Sequence, residues 1–289
     1  MSRNLWLALL GALLPAGLAA ADPAAWRVTS ESGGEITLLG SMHVLRPTDY
    51  PLPPAIDRLV ERADLVVMEI DLDDVDATAQ QRIILQTAML PQGTVLADVV
   101  DGEVYRLVEQ RLGELGVDLV QLERFEPWFL AITVLDLGMR KIGFQAERGV
   151  EQYVLGRAQA AGKEVAGLET LEFQIGLFDA LPPEQQQALL EQTLAELDEG
   201  AAVLGEMVAA WRDGELESLS AELLDEFDEF PGLYEKVVTK RNAAWVPTLE
   251  QMLADGRPHL VVVGALHLVG PDNVIELLNE RGHDVERLE

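Results

Sequence analysis

Two stretches at opposite ends of the chain share one local pattern, and that repetition narrows the fold more than any other feature. Near the start, Ile36-Thr37-Leu38-Leu39 runs into Gly40-Ser41-Met42-His43; near the end, Leu260-Val261-Val262-Val263 runs into Gly264-Ala265-Leu266-His267. A short apolar run rich in β-branched residues reads as a buried strand, and the glycine after it lets the backbone turn at the strand's carboxyl end. In open α/β sheets, functional groups collect in the crevice beyond those ends. His43 and His267 are therefore expected to meet at one crevice.

The rest of the chain reads in the same terms. Trp26 to Thr29 and Glu35 to Leu39 flank Ser32-Gly33-Gly34 and predict a β-hairpin. Prolines 51, 53 and 54 lead into a helix over residues 55–62, with Ile56, Leu59, Val60 and Ala63 on one face. Leu65 to Asp71 predicts a buried strand whose end carries Glu69, Asp71, Asp73 and Asp74. Helices are expected over 75–89, 101–114, 128–140 and 149–161, then a short strand over 162–169 ending in Glu169. Four or five further helices fill 170–255, the last over 233–253. A helix starting near Pro271 and Asp272 and a final strand over 284–288 close the chain. No fixed-period repeat and no long Pro/Gly/Ser linker appears. The expectation is one α/β domain over residues 22–289, with a central mixed β-sheet and a large helical insertion.

Residues 1–21 stand outside that core. Arg3, an apolar stretch from Leu5 to Leu18 broken by Pro15, and Ala19-Ala20-Ala21 predict a secretory signal peptide cleaved near Asp22. The run is shorter than the ~20 apolar residues of a spanning helix. A periplasmic or secreted protein with no stable membrane anchor after cleavage is expected. The chain has no cysteine, which excludes thiol catalysis, zinc–thiolate sites and disulfides. Its net charge of −29 excludes a nucleic-acid phosphate backbone as partner.

Four predicted strands thus end in His43, Glu69, Glu169 and His267, the inventory of a two-histidine, carboxylate-assisted metal site. Imidazole and carboxylate together suit Zn, Mn, Fe or Co. Such an ion acidifies a water and polarises a carbonyl, with Glu69 or Glu169 as base. Arg241, on a long predicted helix, is a candidate for binding a substrate carboxylate or steadying a site acid, and Asn242 for donating to an oxyanion. Adjacent helical residues point about 100° apart, so both reach one pocket only near a helix end or bend. Gln174 is a candidate for orienting the acids. The plainer reading makes each histidine a hydrogen-bonded, half-buried side chain. It is preferred for His259 and His283, and the segment Glu123 to Trp128 looks structural, with Pro127 opening a helix.

The ordered set Gly40 to Leu45, Pro51-Leu52-Pro53, Leu65 to Asp71, Pro127-Trp128, Gly167-Leu168-Glu169-Thr170 with Gln174, Arg241-Asn242 with Trp245, and Gly264 to Gly270 resembles the motifs of the TraB/GumN family over nearly the whole mature chain. That family is related to the Tiki metalloproteases. The resemblance implies the mixed α/β fold of erythromycin-esterase-like and ChaN-like proteins. It also implies divalent-metal-dependent peptide cleavage, usually with Mn or Co, carried here by His43, Glu69 and His267 with Arg241 and Asn242 in support. One departure is visible: Gly149-Val150-Glu151 stands where the family commonly has an Asp, so Glu151 is expected near the site with a carboxylate displaced by its extra methylene. The resulting expectation is an envelope hydrolase using Mn, Co or Zn on a peptide or small-molecule substrate. Its alternatives are a non-catalytic protein binding a peptide, haem or metal, and an interaction scaffold.

Overall fold

The computed structural model describes residues 24–71, 77–197, 200–225 and 231–288. The expected signal peptide, Asp73 and Asp74 lie outside them.

The described chain begins with a hairpin, β1 (Ala25–Thr29) and β2 (Glu35–Ser41), then α1 (Pro54–Arg62) and β3 (Leu65–Ile70). Next come α2 (Ala77–Thr87), α3 (Gly102–Glu114), α4 (Pro127–Lys141), α5 (Val150–Ala160) and β4 (Glu164–Glu169). The stretch expected to hold four or five helices carries α6 (Leu171–Asp179), α7 (Pro183–Glu196), α8 (Gly200–Asp213), α9 (Leu216–Asp225), α10 (Pro231–Tyr234) and α11 (Lys240–Asp255). β5 (His259–Gly264), α12 (Val274–Glu280) and β6 (Asp284–Arg287) complete it.

The helix expected over 233–253 is not one regular rod. Residues Glu235–Thr239 form a π-helical turn between α10 and α11, a local widening that is common at functional sites. The last helix starts later than Pro271 and Asp272 suggest. Asp272 takes a positive φ of 54°, and Asn273 caps α12 by accepting from the Glu276 N–H at 2.9 Å.

The fold is mixed α/β. One six-stranded sheet runs in the order β4-β3-β5-β2-β1-β6. The first four strands are mutually parallel, and β1 is antiparallel to both β2 and β6. Every residue of the central β5 is buried, as a strand covered on both faces requires. Each of its Leu and Val side chains contributes roughly 1.5–3 kcal/mol by leaving water. The main core joins the sheet to α1, α5, α8 and α11 through residues such as Ile56, Val154, Trp211 and Leu249. A second apolar cluster lies within the helical insertion, where α3, α4 and α7 pack through Val108, Leu130, Val134 and Leu190. Pro127 opens α4 and Trp128 is buried. None of the helices of the described residues is long and apolar enough to cross a membrane.

α1 and α5 are clamped by a charge contact. Asp57 Oδ1 accepts from Arg157 Nε at 2.7 Å and from the Tyr153 hydroxyl at 2.8 Å. The Arg157 hydrogen bond leads in holding Asp57 below its ordinary 3.8, with partial burial opposing and Tyr153 assisting. A carboxyl depressed in the folded state adds stability above its unfolded pKa and loses it as the pH falls through the folded value. Asp57→Asn is therefore expected to cost about 1 kcal/mol in urea unfolding at neutral pH. The cost should shrink toward zero well below pH 3.8, and an equal cost at both pH values would show that the Asp57 charge contributes nothing.

Candidate functional site

The strand order explains how residues distant in sequence meet. β2 and β5 are adjacent and parallel, with Ser41 opposite Gly264, so the two Gly-x-x-His units leave the sheet side by side. β3 flanks β5 on its other side, and β4 flanks β3 with Ile70 opposite Glu169. Along one edge the strands thus deliver Glu169, Glu69, His267 and His43 in that order. His267 is not on the strand: β5 stops at Gly264, and a 3-10 turn over Ala265–His267 folds the ring inward, where its side chain is 6% exposed.

Glu69 occupies the middle. Its Oε1 accepts the Gly264 N–H at 2.7 Å; its Oε2 accepts from Arg241 Nη2 at 2.5 Å and Gln174 Nε2 at 3.1 Å. Arg241 also grips Glu169, with Nε to Oε1 at 3.1 Å and Nη2 to Oε2 at 2.8 Å. Trp245 Nε1 donates to Glu169 Oε1 at 2.8 Å, and the Trp245 ring lies 4.9 Å beneath the guanidinium. Glu169 is therefore fully engaged by donors. Arg241 and Asn242 both reach the site because α11 begins at Lys240, directly after the π turn.

The His267 tautomer follows from its partners. Asn242 Nδ2 donates to the Asp272 carbonyl at 2.9 Å, which leaves Asn242 Oδ1 as the acceptor facing His267 Nδ1 at 2.6 Å. Nδ1 thus carries the proton, and Nε2 is left as a lone pair that receives Arg241 Nη1 at 3.1 Å. Asn242 is fully buried with both ends of its amide in use, so it orients His267; donation to an oxyanion would require it to leave Asp272. Burial above all, with the Arg241 and His43 charges, pushes His267 down to about 3 against the pull of Glu69, and the ring is neutral at physiological pH.

His43 is held from the opposite side. The loop after β2 pairs with the loop before α5 through Leu45 and Gln145, and the Val150 N–H donates to the Met42 carbonyl at 3.0 Å. Gly149 permits this approach, since a Cβ there would lie 2.3 Å from the His43 carbonyl oxygen. Glu151, in the first turn of α5, then accepts from His43 Nδ1 at 2.6 Å and from the Ser41 hydroxyl. The Glu151 charge raises His43 to about 9; partial burial opposes it, and the Glu151 hydrogen bond and Glu69 assist. The His43 side chain nevertheless keeps 66% of its surface exposed. Burial would raise Glu69, but His267, His43, Arg241 and the Gly264 N–H hold it at about 2. With His267 neutral, His43 and Arg241 carry that effect at neutral pH.

His43, Glu69, Glu151, Gln152 and Gln174, with Met68, Ile70 and Ala146, line a cleft of about 200 Å³. Glu169 and His267 lie behind it. A Cβ on Gly264 would stand 3.0 Å from His43 Nε2 and 3.3 Å from Glu69 Oε1, so the glycine lets those two atoms approach one point. His267 Nε2 is 3.7 Å from the same oxygen. Among the described residues no group of three or more His, Asp or Glu side chains stands in an arrangement that would hold a metal ion as it is. The chemistry of the donors nonetheless fits one: two imidazole Nε2 atoms and a carboxylate oxygen, each ring fixed through its other nitrogen.

The remaining histidines are elsewhere. His259 sits at the amino end of β5, buried, with Nε2 3.3 Å from the Asp255 carboxylate; His283 Nε2 is 3.4 Å from Glu250. Ser41, the Gly264 N–H and the Asp272 carbonyl are site groups that sequence reasoning missed. The first lies inside a Gly-x-x-His unit, whereas backbone groups leave no mark in a sequence.

The sequence profile of the TraB/PrgY/gumN family matches residues 24–287. The chain belongs to this family. Among relatives of this TraB/PrgY/gumN protein, YbaP of Escherichia coli (strain K12) is 28% identical over 87% of this chain and 90% of its own length. YbaP of Shigella flexneri is 28% identical over 83% of this chain and 86% of its own. A Treponema pallidum (strain Nichols) protein is 23% identical over 89% of this chain and 80% of its own. No solved structure matches the chain.

Asn242→Ala would strand a buried His267 N–H and the Asp272 carbonyl together. It is expected to cost about 2–4 kcal/mol in denaturant unfolding and to release the His267 tautomer, visible in long-range ¹H–¹⁵N spectra. A cost within experimental error with unchanged spectra would mean that this amide does not orient the ring.

Proposed function

We propose that the cleft is the active site of a divalent-metal-dependent hydrolase of the cell envelope, with a peptide amide as the leading substrate. One observation carries this reading. Nδ1 of His43 faces Glu151 and Nδ1 of His267 faces Asn242, which leaves His267 Nε2 3.7 Å from Glu69 Oε1, and His43 Nε2 and Glu69 Oε1 within 3.0 and 3.3 Å of the point a Gly264 Cβ would occupy. Metal-binding histidines are commonly oriented in this way, with the second nitrogen bonded to an oxygen. His43 Nε2, once it has given up its proton, Glu69 Oε1 and His267 Nε2 would hold the ion: Mn, Co or Zn. It would supply a polarised carbonyl and a water acidified to a pKa of about 7. The lone pair of His267 Nε2 serves one partner at a time, so Arg241 Nη1 competes with any ion there.

The chain's own groups divide the remaining work. Arg241 bridges Glu69 and Glu169 and holds them in place, and Trp245 helps to hold Glu169. Gln152 and Gln174 line the cleft with uncharged amides, which suit a peptide backbone. Glu69 and Glu151 are the carboxylates that line it. With Glu69 in the donor set, we assign the proton transfers to Glu151. It takes a proton from the attacking water as the water oxygen bonds to the carbonyl carbon, and returns it to the amine as the C–N bond breaks.

The test is elemental analysis of the purified mature protein beside its His43→Ala and His267→Ala variants, followed by cleavage of a peptide library with Mn, Co and Zn. The wild type is expected to retain metal and cleave; each variant should fold, lose metal and lose turnover. Glu151→Gln should weaken metal affinity about 10–100-fold, because it alters the partner of a ligand. Undiminished cleavage by a metal-stripped His43→Ala, His267→Ala protein would overturn the reading. Retained metal with no cleavage would favour a binding protein instead.

A further inference from the structure

The sheet ends in two edges that are built differently. β6 is four residues long, Asp284-Val285-Glu286-Arg287, and three of the four are charged, an edge blunted by brevity and charge. β4 is six residues long, and its interior Val165-Ala166-Gly167-Leu168 carries no charge. It pairs with β3 on one side and ends the sheet on the other. Among the described residues, no backbone group bonds to its outward-facing amides and carbonyls. Gly167 is exposed. Lys163, the cation preceding β4, is turned away, its Nζ donating to the Glu61 and Ala63 carbonyls at 3.1 and 2.5 Å. Arg257 meets only the amino end, 3.5 Å from Glu164. Nothing in the strand itself guards its carboxyl half.

We propose that β4 is a docking edge for substrate: an extended polypeptide segment carrying basic and apolar side chains adds to the sheet beside β4 and is led from there to the cleft. The proposal rests on the hydrolytic reading for the fate of the segment, not for its binding. An unpaired edge offers a ladder of hydrogen bonds that is independent of the guest's sequence. β4 ends at Glu169, which shares Arg241 and Gln174 with Glu69. A guest strand about 4.8 Å outside β4 therefore leaves the sheet roughly two strand spacings from the cleft wall at β3, a distance about three extended residues span.

The chemistry just past the end of β4 selects the guest. Phe173 is 48% exposed in the first turn of α6, beside exposed Glu172, which offers one apolar and one acidic contact. The net charge of −29 attracts a basic segment. The same charge opposes the other obvious occupant, a second copy of this chain paired edge to edge.

The probe is a capped peptide of alternating lysine and valine, made also in two N-methylated forms that block alternate backbone nitrogens. Binding is measured by titration calorimetry, and protection of residues 164–169 by amide hydrogen exchange. Both use the full mature chain stripped with chelator, and separately its His43→Ala, His267→Ala variant, so that cleavage plays no part. The parent peptide should protect β4. One methylation pattern, the one facing β4, should weaken binding at least tenfold while the other leaves it within a factor of two or three. Ala166→Lys, which places a like charge on the edge, should weaken the parent peptide as well. Equal loss from both patterns, or no peptide-dependent protection of 164–169, overturns the proposal; so does protection already present in peptide-free protein that sediments as a dimer. Docking at β4 without cleavage by metal-loaded wild type would sink the hydrolytic reading alone, and cleavage without β4 protection would sink the docking edge alone.

Discussion

A carboxylate taken out of water must be met by donors and positive charge, and the structure around the cleft is organised by that demand at Glu69. An unpaired buried charge costs several kcal/mol, and losing one partner of a buried pair costs about 3–5 kcal/mol. Glu69 is met from β5 through the Gly264 N–H, from α6 through Gln174 and from α11 through Arg241. Arg241 carries the same obligation to Glu169 at the end of β4. One guanidinium thus ties two strands to a helix that precedes the last of the parallel strands. Ion networks of this kind are weak sources of net stability, because desolvation consumes most of the attraction. Their residues are better explained by what they hold in position, here the Glu69 carboxylate beside the buried His267 ring and facing the cleft that His43 also lines.

The rings are held by unlike means. His267 is buried, neutral and oriented by an amide that is itself anchored to a backbone carbonyl. His43 is exposed to the cleft and paired with a carboxylate at the start of α5, where the helix dipole favours negative charge. The two Gly-x-x-His units look alike in sequence, yet one presents a ring and the other stores it. The helical insertion contributes to this placement: Trp211 of α8 donates to the Gly40 carbonyl at 2.8 Å and pins the end of β2 from outside the sheet.

Much of the scaffold could be read from periodicity. The hairpin, the buried β3 and β5, and the limits of α3, α4 and α5 follow from local patterns of apolar residues, prolines and glycines. The irregularities could not. The π turn before Arg241, the late start of α12 at an Asn273 cap and the inward turn that carries His267 off its strand each depend on contacts made from far away in the chain. Glu151 is instructive: its departure from the common family pattern marked it, but only the loop pairing of Leu45 with Gln145 makes it the partner of His43. Glu169 and Glu69 were indistinguishable as acids at strand ends. Burial behind Arg241 and Trp245 separates one from the other.

From the residues alone came the apolar runs that become strands, the glycines after two of them, and therefore a set of histidines and acids at strand termini in a mixed α/β protein. Those are local properties, set by backbone sterics and by the period of side chains that must leave water. Which terminus lies beside which was decided by the strand order β4-β3-β5-β2. So were the tautomer of His267, the pairing of His43 and, among the described residues, the unpaired edge of β4. These depend on hydrogen bonds and charges between segments remote in sequence, whose energies exist only once the chain has closed around them.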